Sequence, residues 1–384
     1  MQPGRTIRLA SELGLALGIV AVMAFAGCGG GGKPLAAFHV QTGGAIQGSA
    51  LNLTTAVSTF AGSGTAGADD NASGVLATFN MPDGITTDGT NLYVADTNNH
   101  KIRKIVVATG AVTTLAGSGT ASAVDDIGTL ASFNFPRGIT TDGTNLYVAD
   151  NGNNKIRKIV ISTRAVTTFA GTGAPGAGDN TNGLLATFHS PYGITTDGIS
   201  LYVSDYGNNK IRRIDIASGA VTTIAGSGAP CSTDNPVGTS ATFRLPYGIT
   251  TDGTNLYVAD YGNNTIRKIV ISSGAVTTIA GSAVSPPWYA DNPIGTSATF
   301  SAPDGVTSDG TNLYVADTGN NTIRRIVISS GAVITLAGSA VLAGGAVDNA
   351  SGMLATFNGP SGITTDGKSL YVTDLNNNKI RKLQ

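Results

Sequence analysis

The stretch LYVADTNNHKIRKI, residues 92–105, decides the fold. It places two short runs of aliphatic, aromatic and β-branched residues on either side of Asn98 and Asn99, and asparagine tolerates the left-handed backbone of a tight turn. The stretch therefore predicts two β-strands joined by a turn. It recurs at spacings of 54, 55, 55, 57 and 57 residues, measured between its tyrosines. These are Tyr93, Tyr147, Tyr202, Tyr257, Tyr314 and Tyr371.

Each copy extends outward into four strands. Upstream, a β-branched run over residues 85–87 ends at Asp88 and Gly89, which is a hairpin signal. Downstream, Thr109 and Gly110 form the next turn signal, and residues 111–115 supply a fourth strand. Small or apolar residues on both strand faces suit sheets that stack face to face. Four-stranded sheets repeated radially make a β-propeller.

The ends of the repeat set the number of blades. Copies of the fourth strand begin at Ala56, Ala111, Ala165, Ala220, Ala275 and Ala332. Copies of the first three strands begin at Ile85, Ile139, Ile194, Ile249, Val306 and Ile363. The chain therefore starts on a fourth strand and stops on a third, and pairing these ends removes two exposed sheet edges. We predict an all-β fold, a six-bladed β-propeller of four-stranded antiparallel blades over residues 51–384.

The repeated stretch resembles the signature of NHL repeats, and the resemblance covers residues 55–384. Related enzyme folds do not fit the residues present. A resemblance to NHL-fold amidating lyases would require clustered metal-binding histidines, but the histidines are His39, His100 and His189, which do not share a metal-ligand spacing. Lactonase-like and strictosidine-synthase-like propellers rely on a glutamate, and the single glutamate is Glu12. We predict no catalytic residues and no bound metal.

Composition narrows the partners. Charged residues make up 12% of the chain, the net charge is −1, and no basic block stands out after the first few residues. Nucleic acid is therefore not an expected partner, because phosphate binding needs a concentrated basic surface. Two cysteines, Cys28 and Cys231, do not make a disulfide framework, and Cys231 is expected to be inert.

The N-terminal region predicts export. Residues 1–27 combine Arg5 and Arg8 with a short apolar run, as in a signal peptide, and they end before Cys28 in a sequence that resembles the bacterial lipobox. An ordinary cleaved signal peptide is the alternative. Residues 28–50 begin with four glycines and suit a flexible tether. Because Gly29 is not aspartate, the resemblance implies the outer membrane or cell surface rather than the inner membrane. We expect a monomer.

The predicted binding surface lies at one end of the blades. In an antiparallel meander, the blade-to-blade loops share a face with the Asn-Asn turns, and we call this the loop face. The residue between Pro and Gly at the start of each first strand differs among copies, and six such residues would ring the channel mouth. They are Asp83, Arg137, Tyr192, Tyr247, Asp304 and Ser361. They could hold a sugar or a peptide, or could simply vary because the position is solvent-exposed. Trp288 and Tyr289, in a lengthened loop, could anchor a partner or fold over Pro286 and Pro287.

Other repeated residues predict construction rather than ligand contact. An aspartate next to the second turn and an arginine seven residues later recur in all six copies, and a two-residue turn would place them opposite each other. The aspartates are Asp96, Asp150, Asp205, Asp260, Asp317 and Asp374, and the arginines are Arg103, Arg157, Arg212, Arg267, Arg324 and Arg381. Asp-Asn pairs in the blade-to-blade loops could bind calcium or shape turns. These pairs start at Asp70, Asp179, Asp234, Asp291 and Asp348.

Two function hypotheses follow. The first is a non-enzymatic binding or scaffold module on a bacterial envelope, which contacts an envelope or extracellular protein, peptide or glycan through the loop face. The second is a metal-assisted lyase or hydrolase of a small polar substrate that uses Asp83, Asp304 and a divalent ion. A purely structural surface role differs from the first only in lacking a discrete ligand.

Overall fold

A computed structural model describes residues 50–283, 289–339 and 344–384. Within them, 24 strands form six separate four-stranded antiparallel sheets, as the repeat predicts. No helix in these ranges is long and apolar enough to cross a bilayer. The predicted signal peptide and all of the tether except Ala50 lie outside the described residues.

Each blade is a four-stranded meander whose strands we number along the chain. Blade 1 contains β2 (Pro82–Thr87), β3 (Asn91–Asp96), β4 (Lys101–Val106) and β5 (Val112–Ala116). Blade 2 contains β6 (Pro136–Thr141), β7 (Asn145–Asp150), β8 (Lys155–Val160) and β9 (Val166–Ala170). Blade 3 contains β10 (Pro191–Thr196), β11 (Ser200–Asp205), β12 (Lys210–Asp215) and β13 (Val221–Ala225).

The second half of the ring repeats this plan. Blade 4 contains β14 (Pro246–Thr251), β15 (Asn255–Asp260), β16 (Thr265–Val270) and β17 (Val276–Ala280). Blade 5 contains β18 (Pro303–Ser308), β19 (Asn312–Asp317), β20 (Thr322–Val327) and β21 (Val333–Ala337). Blade 6 contains β22 (Pro360–Thr365), β23 (Leu370–Asp374), β24 (Lys379–Leu383) and, from the start of the chain, β1 (Val57–Ala61).

Three-residue 3-10 turns complete the pattern. One set lies in the blade-to-blade loops, at Gly74–Leu76, Gly128–Leu130, Gly183–Leu185, Gly238–Ser240, Gly295–Ser297 and Gly352–Leu354. The other set joins the second and third strands, at Thr97–Asn99, Asn151–Asn153, Tyr206–Asn208, Tyr261–Asn263, Thr318–Asn320 and Leu375–Asn377.

The two ends of the described chain close the ring. Strand β1 pairs antiparallel with β24, with Val57 opposite Leu383, so the sixth blade combines the first and last strands. The prediction from the phase of the repeat is confirmed. The exposed edges that an open array would leave at these two strands are thereby satisfied.

The core lies between blades. The cluster between blades 1 and 2, for example, packs Tyr93 and Ile102 against Phe133, Ile139 and Leu146, and all five are buried. Burial of one such side chain contributes about 1.5–3 kcal/mol, so each blade is stabilised mainly by its neighbours. This explains why the strands are apolar on both faces.

The second turn of each blade is longer than predicted. It spans four residues and ends in a left-handed residue, which is His100 in blade 1 and asparagine in the other five. The turn is centred between Asn98 and Asn99, so Asp96 lies opposite Lys101 and Arg103 lies opposite Val94. The predicted opposition of Asp96 and Arg103 is therefore wrong. The two side chains still meet diagonally on one sheet face, at 2.7 Å.

These ion pairs are fully buried and belong to a larger network. Arg103 donates to Asp96, to the carbonyl oxygens of Thr78 and Asp69, and to Asp70 at 2.8 Å, and its guanidinium lies 5.0 Å from the ring centre of Phe79. The aspartate of the blade-to-blade loop therefore faces a cation of the protein itself. The same three-residue arrangement of arginine and two aspartates recurs in every blade.

The left-handed residue also ties each blade to the next. Its side chain accepts the backbone N–H of the residue before the next blade's first proline: Asn154 binds Ser190 at 2.8 Å, and Asn378 binds Met81 at 2.9 Å across the ring closure. In blade 1, Nδ1 of His100 accepts the N–H of Phe135 at 3.0 Å. We call this contact the interblade clamp.

Candidate ligand site at the channel mouth

The first strands of the six blades line the central channel and approach one another closely. A methyl group on Gly193 would overlap the backbone of Tyr247 and Gly248, and the equivalent glycine of each blade meets its neighbour in the same way. These glycines are Gly84, Gly138, Gly193, Gly248, Gly305 and Gly362. The remaining cavity in the channel is about 60 Å³ and is lined largely by these glycines and by the isoleucine or valine that follows each. A space of this size holds one or two waters.

The residue before each of these glycines points toward the channel mouth, and the six predicted residues come together there. We call Asp83, Arg137, Tyr192, Asp304 and Ser361 the mouth cluster. Ser361 is 0% exposed and Asp83 is 2% exposed. The alternative that these positions vary because they are solvent-exposed is therefore wrong for most of them: the channel is narrow, so side chains from different blades meet across it.

Direct contacts join the cluster. Asp83 accepts hydrogen bonds from Arg137 at 2.6 Å, from the Tyr192 hydroxyl at 2.8 Å and from the Ser361 hydroxyl at 2.7 Å. Oδ2 of Asp304 lies 2.9 Å from Oγ of Ser361 and 3.3 Å from the Tyr192 hydroxyl oxygen. The contacting residues come from blades that are either adjacent or two apart around the ring.

The contacts at the mouth favour a protonated Asp304. Ser361 and Tyr192 each carry one hydroxyl proton, yet each hydroxyl oxygen lies within hydrogen-bond distance of both carboxyl groups, so two protons serve four contacts. A protonated Asp304 supplies a third proton. Burial, together with the charge of Asp83, raises the pKa of Asp304 to about 8. The cluster is then close to neutral, with Arg137 balancing Asp83.

Four tyrosines form the more exposed side of the mouth. The rings of Tyr192 and Tyr247 stack at 4.0 Å with 9° between their planes, and Tyr247 stacks with Tyr261 at 4.0 Å and 24°. Two rings cannot both stack at 4.0 Å on the same face of Tyr247, so the ring of Tyr247 lies between those of Tyr192 and Tyr261. Tyr206 tilts against Tyr192 and Tyr247 at 6.2 and 5.3 Å. We call these four residues the tyrosine stack.

Sequence reasoning missed Tyr206 and Tyr261. Each follows the aspartate that ends the second strand, a position assigned to the turn. The signal was present, because the equivalent residues in the other blades are Thr97, Asn151, Thr318 and Leu375, and tyrosine occurs there only in the two blades that also carry Tyr192 and Tyr247.

The remaining predicted site residues lie elsewhere. Trp288 and Cys28 fall outside the described residues. Tyr289 is half-buried, and its ring centre lies 5.9 Å from the guanidinium of Arg324, which belongs to the network inside blade 5 and not to the mouth cluster. Cys231 is an exposed free thiol.

Within the part of the chain that the structure describes, no group of three His, Cys, Asp or Glu side chains is placed to hold a metal ion. At the mouth, a divalent ion would have to displace the donors that Asp83 already accepts. Calcium in the loops and a metal-assisted reaction at Asp83 and Asp304 stay predictions.

The sequence of the chain is similar to those of known repeat proteins. The chain is 30% identical over 346 residues to NHL repeat-containing protein 2 of Bos taurus, across 79% of this chain and 46% of the relative. The homologues of this chain are NHL repeat-containing proteins. The chain spans about half the length of the curated relatives it matches, and no family model matches it.

Solved structures share the fold of this propeller. A structural genomics protein from Bacteroides thetaiotaomicron superposes with a TM-score of 0.64 at 22% identity, covering 85% of this chain and 75% of that one. An auxiliary nutrient binding protein from the same organism gives 0.64 at 18% identity, covering 85% and 76%. Identities this low relate the folds alone.

Proposed function

We propose that this chain is a non-catalytic binding module, held on the bacterial envelope by a lipid on Cys28, that takes its ligand at the loop-face mouth of the channel. The tyrosine stack is the observation that carries the proposal. Blades 3 and 4 share the same internal network as the other four, yet they alone place tyrosine at both mouth positions. A departure from the repeat confined to one rigid surface is typical of a binding site.

Exposure and rigidity support the proposal. Tyr206, Tyr247 and Tyr261 are half-buried, so part of each ring faces solvent, and the stack fixes their positions before a ligand arrives. Pre-positioned aromatic side chains lose little conformational freedom on binding and supply much of the affinity at protein surfaces. A structural neighbour described as an auxiliary nutrient binding protein shares this propeller, which fits a ligand-binding role for the scaffold.

Binding at the mouth is tested with an array that carries both oligosaccharides and peptides. We expect the purified protein to bind a discrete subset, and we expect a double variant, Tyr247→Ala with Tyr261→Ala, to lose that binding at an unchanged melting temperature. Tyr289→Ala, which removes a tyrosine outside the stack, serves as the matched control and should bind normally. Binding that survives the double variant would place the ligand elsewhere and refute the assigned site.

The envelope anchor is tested separately. In a bacterial host, wild-type protein should incorporate a labelled fatty acid and sediment with membranes, whereas Cys28→Ser should lose the label and leave the membrane fraction. Cys231→Ser is the control, because Cys231 lies in the propeller and has no predicted lipid. Wild-type protein in the soluble fraction without label would contradict the anchor.

A further inference from the structure

The hydroxyl groups of the tyrosine stack are used unevenly. In each blade, the tyrosine of the repeated stretch donates to an aspartate of the first turn, as Tyr93 does to Asp88 at 2.8 Å. Tyr192 donates to Asp83. Among the described residues, by contrast, the hydroxyls of Tyr206, Tyr247 and Tyr261 have no hydrogen-bond partner. Three free phenol groups thus converge on the mouth, and each can donate and accept.

One ring face at the end of the stack has no aromatic neighbour among the described residues. Tyr261 stacks on Tyr247 through one face, and no other ring of the described residues stacks on its second face. The next blade carries Thr318 at the equivalent position, and its hydroxyl is turned to the carbonyl oxygen of Pro360. A flat ligand that continues the stack would lie on Tyr261 above blade 5, beside the Asp304 end of the mouth cluster.

Charge restricts what that ligand can be. Arg137 is the cation of the mouth cluster, and it already donates a hydrogen bond to Asp83 at 2.6 Å. Two carboxyl groups accompany this one guanidinium, so an anionic ligand would find no free positive partner and would meet at least one negative group. A cationic ligand held by aromatic faces needs several faces turned toward it, but the faces of Tyr247 are covered by its neighbours in the stack.

A ligand of complementary chemistry has one flat apolar face and several hydroxyls around its edge. From these contacts we propose that the ligand is a neutral carbohydrate, with the apolar face of one sugar ring on Tyr261 and its hydroxyls hydrogen-bonded to the free phenols of Tyr206 and Tyr247. This inference rests on the proposed function and names its ligand class. Because the channel cavity is about 60 Å³, the sugar lies across the mouth rather than inside the channel.

The test uses an array of neutral, sialylated and sulfated oligosaccharides together with peptides, followed by titration of the strongest neutral oligosaccharide. We expect binding of neutral glycans. Tyr261→Ala should weaken it by about tenfold, because the stacking face is lost. Tyr261→Phe keeps the face and should weaken it by less, about threefold or under. Tyr289→Ala should leave it unchanged.

The outcomes separate the two proposals. Binding only of peptides or of acidic glycans, lost in Tyr261→Ala, would overturn the carbohydrate inference and leave the mouth as the binding site. Neutral glycan binding that is indifferent to Tyr261 would overturn both the placement of the sugar and the assigned site. No binding to any neutral glycan would also overturn the inference. Melting temperatures of all variants confirm that the comparisons are made on folded protein.

Discussion

The buried carboxyl groups inside the blades differ from those at the mouth in the partners that they contact. Inside each blade an aspartate such as Asp205 meets its own arginine, here Arg212, at 2.7 Å, and a second aspartate, Asp179, meets the other side of that guanidinium. At the mouth, Asp83 and Asp304 have a single guanidinium between them, and Asp304 is held neutral instead.

The difference separates construction from function. The blade network is repeated six times with the same partners and distances, so it sets the shape of a blade and carries no information about an asymmetric ligand. Each contact at the mouth occurs once, between residues from different blades, and three tyrosine hydroxyls there form no hydrogen bond with another described residue.

The largest effect should come from breaking one blade network. Arg212→Met keeps much of the side-chain volume but leaves Asp205 buried without its cation, which should lower the free energy of unfolding by about 3–5 kcal/mol. The matched control is Arg213→Met, the next residue on the same strand, which is exposed and should cost about 0.5 kcal/mol. Chemical denaturation measures both. Equal losses would mean that the buried network does not hold the blade together.

The second prediction concerns the close approach of first strands. Gly193→Ala places a methyl group against the backbone of Tyr247 and should lower the free energy of unfolding by about 1–3 kcal/mol, because neither strand can move without disturbing the ring. Gly178→Ala is the control: the added methyl would lie 3.2 Å from Oγ1 of Thr187 at an exposed position. If the two variants melt alike, the channel wall is less tightly packed than the structure indicates.

The third prediction uses pH at the mouth. The pKa of Asp304 is about 8 in the folded protein and 3.8 as its ordinary value, so its stabilising contribution is present below about pH 4 and is lost as the pH rises to about 8. Asp304→Asn mimics the neutral carboxyl and does not titrate. Relative to wild type, the variant should gain about 1–2 kcal/mol between pH 6.5 and pH 8, measured by denaturation at several pH values. A difference that stays constant or falls with pH would show that Asp304 is ionised.

The smallest effect belongs to the one irregular interblade clamp. Burial lowers the pKa of His100 below 6.5, and its neutral ring accepts the N–H of Phe135, so this contribution is present above pH 6.5 and is lost as the pH falls. His100→Asn restores the residue used in the other five blades and should stabilise the protein by about 0.5–1 kcal/mol at pH 5, with less gain at pH 8. Thermal melting at the two pH values measures this, and a larger gain at pH 8 would contradict the assigned contact.

The propeller fold was predictable because the same strand and turn pattern recurs six times along the sequence. The phase of the repeat, with a fourth strand near Ala56 and a third strand at the C-terminus, was enough to predict that these two strands pair. The predicted opposition of Asp96 and Arg103 was wrong, because a turn centred between Asn98 and Asn99 places Asp96 opposite Lys101 and leaves Arg103 two residues further along the third strand. The length of the turn was not predictable either, since sequence shows that asparagine tolerates the left-handed conformation but not which residue adopts it.

At the mouth, the six varying positions were predicted, but their contacts with one another were not. That Ser361 touches both Asp83 and Asp304 depends on the width of the channel, which follows from how closely the glycine-bearing first strands pack. Tyr206 and Tyr261 were accessible to sequence reasoning, because the same two blades were unusual at both mouth positions. Both tyrosines stand out when the residues at one equivalent position are compared among the six repeats.

The pairing of β1 with β24 has a consequence for biosynthesis. Strand β1 is synthesised long before its partner β24, and until β24 follows, β1 and β23 each present an unpaired edge. Residues 379–383 therefore complete the ring: a nascent or truncated polypeptide that lacks them has five complete blades but no closed ring, and it should be more susceptible to proteolysis and self-association than one that contains them.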